Sequence, residues 1–156
     1  MGRLNQAEKK ISELFDDTEL SISETDPDLA EIVKNFIYGE VYSHGELTEE
    51  QRELITIVVL TTNQNLEELK KQVKGALNID VSPVKIKEAL YHCAPYIGFS
   101  KVLEALTPIN EVFKENNISL PVESQQEVNE DNRFEEGLKV QKSIFGDVID
   151  KMHAGT

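Results

Sequence analysis

The chain has 156 residues, of which 39% are hydrophobic, and a formal net charge of −13 at pH 7. This length suffices for one domain with a substantial core. The negative charge argues against nucleic acid or an anionic membrane as a partner, because both bind through clustered Lys and Arg. Cys93 is the only cysteine, which excludes an intramolecular disulfide, a CxxC redox pair and a four-thiolate zinc site.

The sequence contains no apolar run that approaches the roughly 20 residues needed to span a bilayer. The N-terminal stretch MGRLNQAEKK lacks the apolar centre of a signal peptide. We therefore expect a cytoplasmic protein that acts apart from membranes.

Two helices are predicted in the first part of the chain. The first covers residues 5–15, and the second begins after the N-cap Asp26 and runs to about Tyr42. Their predicted apolar faces consist of Ile11, Leu14 and Phe15 in the first helix and of Leu29, Ile32, Val33, Phe36 and Ile37 in the second.

Thr48 and Gln51 form a predicted capping box, in which each side chain accepts a hydrogen bond from the other residue's backbone N–H. The stretch ELITIVVLTT that follows is nearly all apolar and has the β-propensity of a buried strand. Because a capping box precedes it and no partner strand is visible, we predict a buried helix.

Three further helices are expected before residue 117. Asn65 is the N-cap of the first, and Ser82 followed by Pro83 opens the second. Pro95 and Gly98 break the chain before an amphipathic helix over 101–116.

The remaining chain divides into a linker and a final helix. Residues 118–131, ISLPVESQQEVNED, are polar and acidic. The helix that begins at Asn132 carries too many apolar residues for a solvated tail. They are Phe134, Leu138, Val140, Ile144, Phe145, Val148 and Ile149. We predict an all-α fold of about seven helices, with a domain over 1–117, a linker over 118–131 and a docking helix over 132–156.

The stretches NFIYGEVYSHGELTEEQRELITIVVLTT and LKKQVKGALNIDVSPVKIKEALYHCAPYIGFSKVLEAL resemble the carboxymuconolactone decarboxylase family, which includes alkylhydroperoxidase D. The resemblance covers residues 35–113 as an ordered set: GEVY, REL-I-T, VKGALN, Ser-Pro and H-x-x-x-Y-x-G-F. It implies an all-α, alkylhydroperoxidase D-like domain that self-associates into trimers or hexamers.

The peroxidase branch of this family uses a glutamate followed, after eleven residues, by C-x-x-C-x-x-x-H. Glu53 matches the glutamate, but Asn65 and Glu68 stand at the cysteine positions and Gln72 at the histidine position. A thiol peroxidase needs a nucleophilic and a resolving thiol. Antioxidant peroxidase activity is therefore not expected unless Cys93 acts with a thiol of another molecule.

The decarboxylase branch has E-L-x-x-H on the same helix and a second histidine before x-x-x-Y-x-G-F. Glu68 and Leu69 match the first motif, except that Gln72 replaces its histidine. The second motif matches at His92, Tyr96, Gly98 and Phe99, and His44 replaces an arginine that often follows the family's GEVWS motif. The resemblance implies cofactor-free decarboxylation of a small carboxylated lactone or keto acid, as in the breakdown of aromatic compounds.

Such a reaction needs a donor to an enolate-like oxyanion and a proton for carbon. His92 is the predicted proton donor, Gln72 and His44 are predicted to donate to the oxyanion, and Glu68 is predicted to orient an imidazole or relay a proton. Glu53 completes the candidate catalytic set, and the predicted substrate pocket consists of Tyr42, Tyr96, Phe99 and Cys93. Neither a metal nor an organic cofactor is expected.

These residues also have structural interpretations. His92 on an apolar face is compatible with a hydrogen-bonded core histidine, Cys93 with a small buried side chain, and His44 with an ordinary loop residue. Glu68 is compatible with helix capping. Glu53 lies at a helix start, where a carboxylate is favourable, and is compatible with an anchor paired to Arg52 or to backbone. The alternative function is accordingly a non-catalytic helical oligomer or small-ligand-binding member of the family, which Gln72 favours.

Overall fold

The computed structural model describes residues 2–15, 20 and 22–153, with the side chain of residue 153 excepted. All regular elements among these residues are helices, which confirms the predicted all-α class. The chain divides into two compact units, Met1–Val122 and Glu123–Thr156. The first unit contains α1 (Arg3–Phe15), α2 (Pro27–Val33), α3 (Glu49–Asn63), α4 (Leu66–Asn78), α5 (Pro83–His92), α6 (Ala94–Ile97) and α7 (Phe99–Glu115).

The core of the first unit lies between α3, α4, α5 and α7, and α1 packs on the outer side of α4. Each helix contributes residues three or four positions apart, which is the spacing that places side chains on one face. The fully buried set includes Ile11, Leu14, Ile57, Leu69, Val73, Ile86, Leu90, Ile109 and Phe113.

Helix α3 confirms the predicted capping box and the choice of helix over strand. The Gln51 N–H donates to Thr48 Oγ1 at 3.2 Å, and the Thr48 N–H donates to Gln51 Oε1 at 2.9 Å. Only one face of α3 is buried, however, because Ile55 and Val59 are each 49% exposed. The apolar run therefore forms two faces of α3: one packs in the core through Ile57, and the other, with Ile55 and Val59, is exposed on the single chain.

Thr48→Ala is expected to lower the free energy of unfolding by about 1 kcal/mol, since it removes the hydrogen bond to a helix N-terminal amide. Ser82→Ala is the matched control, because Ser82 is the N-cap of α5 but its side chain makes no capping hydrogen bond. Urea denaturation of both variants measures the difference. Equal losses in the two variants would contradict a specific role for the Thr48 cap.

Helix α2 differs from its prediction in both length and orientation. Its α-helical part ends at Val33 and continues as a π-helical stretch, Lys34–Tyr38, followed by a 3₁₀ turn, Val41–Ser43. Asp26 is the N-cap but forms no side-chain capping hydrogen bond. The predicted apolar face is wrong for the single chain, because most of that face is exposed: Leu29, Ile32, Phe36 and Ile37.

The face of this segment that is buried instead carries small or polar residues, including Ala30 and Asn35. The same segment makes a close backbone approach to Arg3 of α1 at Gly39. A Cβ there would lie 2.6 Å from the carbonyl oxygen of Arg3 and 2.5 Å from that of Asn35. A side chain does not fit at such a contact, so this position requires glycine.

The predicted break at Pro95 and Gly98 is confirmed. Gly98 has a φ of 88° and separates α6 from α7, which begins at Phe99 rather than at residue 101. A positive φ of this kind is readily adopted by glycine alone. The break places Tyr96 and Phe99 on the surface, where they are 86% and 76% exposed.

The C-terminal region also departs from its prediction. Ile118 and Val122 pack against the core of the first unit, so the linker begins later than expected. The single final helix is two helices, α8 (Arg133–Phe145) and α9 (Val148–His153), separated by Gly146 with a φ of 67°. Within the described part of this unit, Ile149 is buried while Val140, Ile144 and Phe145 are exposed. Docking of this segment stays a prediction, and residues 154–156 lie outside the described residues.

Among the described residues, no helix combines the length and apolar character required to cross a bilayer. The cytoplasmic location stays a prediction from the sequence.

Candidate functional site

Glu53 of α3 and Gln72 of α4 form a buried polar pair where the two helices pack together. They are 0% and 5% exposed. The Gln72 Nε2 group donates to Glu53 Oε2. The other carboxyl oxygen, Oε1, is buried and accepts no hydrogen bond in the described part of the chain. The structure thus brings two of the predicted catalytic residues into direct contact, and leaves one oxygen of the carboxyl unused.

The position of Glu53 follows from the periodicity of α3. It shares the buried face with Ile57 and Thr61, four and eight residues further along. Burial raises the pKa of Glu53 from 4.5 to about 7, while the hydrogen bond from Gln72 and the charge of Lys10 oppose this shift. The carboxyl therefore exists in both protonation states near neutral pH, as a general acid or base requires.

Two tyrosines, Tyr38 and Tyr42, pack against each other, and Tyr38 is close enough to feel the charge of Glu53. The ring centroids of Tyr38 and Phe15 lie 6.0 Å apart in an edge-to-face arrangement. The ring centroids of Tyr38 and Tyr42 lie 5.5 Å apart. Burial, with the charges of Glu68 and Glu53, raises the pKa of Tyr38 to about 12, so its phenol stays protonated. Tyr42 is partly exposed, but its hydroxyl is buried and has no hydrogen-bond partner among the described residues.

Sequence analysis predicted a pocket role for Tyr42 but missed Tyr38. The available signal was the spacing of four residues, which places two aromatic rings on the same side of a helix. That signal does not show that Tyr38 lies within reach of the charge of Glu53, because this depends on how the π-helical stretch packs on α1.

Arg52 is a second residue whose role was not predicted. Its guanidinium donates from Nη1 to the Val41 carbonyl at 3.1 Å and from Nη2 to the His44 carbonyl. These bonds tie the 3₁₀ turn to the start of α3. The alternative interpretation of Glu53 as an anchor paired with Arg52 is therefore wrong, because these Arg52 donors bind backbone carbonyls instead. His44 contributes its carbonyl here, and the residue itself is exposed.

Glu68 lies at the start of α4, near the buried pair but partly exposed. Its backbone N–H donates to Asn65 Oδ1 at 3.4 Å, which confirms Asn65 as the N-cap. Its Oε2 lies 3.3 Å from Lys71 Nζ. Glu68 is therefore partly in contact with solvent, and its negative charge contributes to the raised pKa of Tyr38.

The remaining predicted residues belong to the surface around the end of α5. His92 is exposed, and its Nδ1 lies 3.2 Å from the Glu88 carbonyl oxygen. It is thus not a core histidine, and it forms no hydrogen bond to Glu53 or Gln72. Tyr96 and Phe99 are exposed beside it. On the single chain, none of the hydrogen bonds among the described residues links His92, Tyr96 or Phe99 to the Glu53–Gln72 pair.

Cys93 is buried and its Sγ donates to the Ala89 carbonyl at 3.3 Å, as expected for a small core residue. Burial raises the pKa of its thiol, which lowers the fraction of thiolate. These observations count against a peroxidase nucleophile at this position. No group of three or more His, Cys, Asp or Glu side chains among the described residues is arranged to hold a metal ion.

The sequence profile of the carboxymuconolactone decarboxylase family matches residues 27–111. The chain belongs to the carboxymuconolactone decarboxylase family. The match begins at α2 and ends within α7, so it includes Glu53, Glu68, Gln72 and His92.

Two relatives in this family carry named activities. The 4-carboxymuconolactone decarboxylase of Acinetobacter baylyi is 29% identical over 99 residues, which are 64% of this chain and 74% of that protein. Nitrosuccinic acid decarboxylase npaB of Metarhizium robertsii is 30% identical over 76 residues, which are 49% of this chain and 53% of that protein. Family membership and these names together support a decarboxylase-like enzyme at the level of the family.

Proposed function

We propose that the protein is a carboxy-lyase that removes CO2 from a small carboxylated lactone or keto acid without a cofactor. The observation that carries this proposal is the buried Glu53–Gln72 pair, whose carboxyl has a pKa of about 7. The two relatives named as decarboxylases support the same reaction class.

The pair fits the proton step of such a reaction. When the bond to the departing carboxylate breaks, its electron pair moves to the substrate carbonyl and CO2 leaves. The resulting carbanionic carbon then takes a proton from protonated Glu53, which must be protonated again before the next turnover. Gln72 holds the carboxyl through Oε2, so Oε1 is the oxygen left without a hydrogen-bond partner among the described residues. Because Oε1 is buried on the single chain, this role requires that the substrate reach it through a pocket completed by a neighbouring chain.

The names of the relatives suggest the substrate's chemistry. One name refers to a carboxylated lactone and the other to a nitro-substituted diacid. A lactone carbonyl and a nitro group can each accept the electron pair that departing CO2 leaves behind. We therefore expect the substrate of this chain to be a small acid that carries such an electron-accepting group.

Incubation of the purified protein with 4-carboxymuconolactone, nitrosuccinic acid and a series of β-keto acids tests the proposal. We expect CO2 release above the uncatalysed rate for at least one compound. In D2O, NMR of the product should show one deuterium on the carbon that is protonated after CO2 leaves: the carbon that bore the carboxylate in a β-keto or nitro acid, and the carbon next to the carbonyl in the unsaturated lactone. Absence of catalysed CO2 release from the whole panel would contradict the proposed activity.

A second candidate function is a non-catalytic oligomer or ligand-binding member of the family. The observation that favours it is the complete burial of Glu53, together with the exposed position of His92. His92, Tyr96 and Phe99 are exposed on the single chain, so catalytic or pocket roles for them require a pocket completed by a neighbouring chain.

We expect the protein to form a trimer or hexamer, because apolar residues on α3 and on the α2 segment are exposed on the single chain. Val59→Glu is expected to lower the assembly state, since it places a charge on the exposed face of α3. Thr107→Glu, on an exposed polar position of α7, is the control. Size-exclusion chromatography with light scattering measures the mass. A wild-type monomer at micromolar concentration would contradict assembly.

A further inference from the structure

Lys10 joins helix α1 to the start of α3. Its Nζ donates to Glu13 Oε2 at 2.6 Å, within α1, and to Oε1 of Glu49, the first residue of α3. The side chain of Lys10 is only 15% exposed. The two carboxylates and this burial hold the ammonium group in one place, whereas the end of a fully exposed lysine moves through solvent.

The position of this ammonium group is close to Glu53. Glu53 follows Glu49 by four residues on α3, and side chains at this spacing are neighbours on the same side of a helix. Glu49 is exposed and Glu53 is buried, so a cation bound to Glu49 lies one helical turn from the buried carboxyl. Burial raises the pKa of Glu53, and the hydrogen bond from Gln72 and the charge of Lys10 both act to lower it.

Lys10 keeps its positive charge while Glu53 titrates. Burial acts to lower the pKa of Lys10, but the hydrogen bonds to Glu13 and Glu49 outweigh it and raise this pKa above 10.5. Lys10 is therefore a fixed charge near neutral pH, where Glu53 changes its protonation state.

The basic residues that α5 and α7 direct towards α3 have other partners. Lys85 of α5 pairs with Glu50, with 2.6 Å between Nζ and Oε1. Lys101 of α7 donates to the Thr62 carbonyl at 3.2 Å, near the C-terminal end of α3. Their positive charges are thus directed to groups other than Glu53.

Helix α4 and the π-helical stretch present neutral or acidic groups near Glu53. Gln72 is uncharged, and Tyr38 stays protonated because burial and nearby carboxylates raise its pKa to about 12. Glu68 of α4 is acidic, and its charge acts on Tyr38. The contacts therefore assign Lys10 as the cation that acts on Glu53.

We propose that Lys10 is a positioning residue of the active site: Glu13 and Glu49 hold its ammonium group one turn from Glu53, where it sets the pH range in which Glu53 acts as an acid. This inference rests on the proposed role of Glu53 and names a residue that regulates the same site. Lys10 belongs to α1, which lies outside residues 27–111 matched by the family profile.

The consequence for the reaction is a stronger acid at Glu53. A nearby positive charge favours the carboxylate, so Glu53 gives its proton to carbon more readily. A general acid is most effective when its pKa lies near the working pH. Without Lys10, Glu53 would keep its proton to a higher pH and would be a weaker donor.

Carbon-13 NMR of the full-length protein with labelled glutamate carboxyls tests this interaction without a substrate. The resonance of Glu53 is identified by its absence from Glu53→Gln. Lys10→Met removes the ammonium group and keeps an unbranched side chain. It should raise the titration midpoint of Glu53 by about half a pH unit or more, because the carboxylate loses an attractive charge at short range.

The pH dependence of CO2 release provides the kinetic readout. The rate should fall as the pH rises and Glu53 loses its proton, and Lys10→Met should move this fall to higher pH by the same amount as the NMR midpoint. A shifted NMR midpoint without CO2 release from the substrate panel would support the Lys10–Glu53 interaction and contradict the decarboxylase activity. Catalysed CO2 release with an unmoved midpoint would overturn the inference and leave the activity standing.

Two further variants separate this charge from general changes in α1. Lys9→Met removes the same charge from the neighbouring position, where the side chain is 67% exposed and lies 3.5 Å from Glu13, and should leave the midpoint unchanged. Lys10→Arg keeps the charge and should have a midpoint close to that of the wild-type protein. An equal shift in Lys9→Met, or a shift in Lys10→Arg as large as in Lys10→Met, would overturn the inference.

Circular dichroism verifies that the variants fold. If Lys10→Met does not fold, Lys10→Gln provides the same test, because its amide can still donate to Glu13 or Glu49 but carries no charge. The midpoint of Glu53 should rise in this variant as well, and an unmoved midpoint in folded Lys10→Gln would contradict the role of Lys10.

Discussion

Glu53→Gln is expected to lower the rate of the proposed decarboxylation by roughly 100-fold or more, the lower range of a general acid's contribution. The amide has nearly the same shape and can still pair with Gln72, but it has no acidic proton to give to carbon. Steady-state kinetics with the best compound from the substrate panel measures the effect. Glu67→Gln, an exposed glutamate on α4, is the matched control.

The same variant has a second readout that does not require a substrate. A pKa raised from 4.5 to about 7 means that folded Glu53 binds its proton more tightly than the unfolded chain does. The stabilising contribution is therefore fully present below pH 4.5 and is lost as the pH rises through 7. A pKa difference of this size corresponds to roughly 3 kcal/mol.

Glu53→Gln should remove this pH dependence. Relative to the wild-type protein, the variant is expected to gain about 3 kcal/mol in free energy of unfolding between pH 4 and pH 8. Urea denaturation across this range measures it. If wild type and variant show parallel pH profiles while the activity is lost, Glu53 is not the buried group with the raised pKa.

Gln72→Leu is expected to destabilise the protein by about 2–3 kcal/mol at pH 8, the cost of removing a hydrogen bond to a buried charged group. Near pH 5 the loss should be smaller, because Glu53 is then protonated and no buried charge is left without a donor. The variant should also raise the pKa of Glu53 further, since the hydrogen bond from Gln72 lowers it.

Gln72→His is the comparison for this second prediction. An imidazole N–H can donate to the Glu53 carboxyl, so this variant should retain more stability at pH 8 than Gln72→Leu does. Denaturation at pH 5 and pH 8 measures both. A loss in Gln72→Leu that is the same at the two pH values would show that lost packing, rather than the unpaired carboxylate, causes the destabilisation.

The sequence alone was sufficient to predict the helical class, the break before α7 and the start of α3. The capping box joins Thr48 and Gln51 over three residues, and Gly98 acts through its own φ angle. Such signals operate within one turn of backbone, so they depend little on the rest of the fold. The family resemblance, which the profile match bears out, also identified Glu53 and Gln72 as candidates.

Only the tertiary structure showed what these two residues do together. They are 19 residues apart, and their contact depends on the packing of α3 on α4. The raised pKa of Glu53 depends on burial by elements distant in sequence, as does the position of Tyr38 beside it. The buried face of α2 was predicted wrongly for the same reason. Periodicity shows which residues share a face, whereas packing against elements distant in sequence, such as α1, decides which face turns inward.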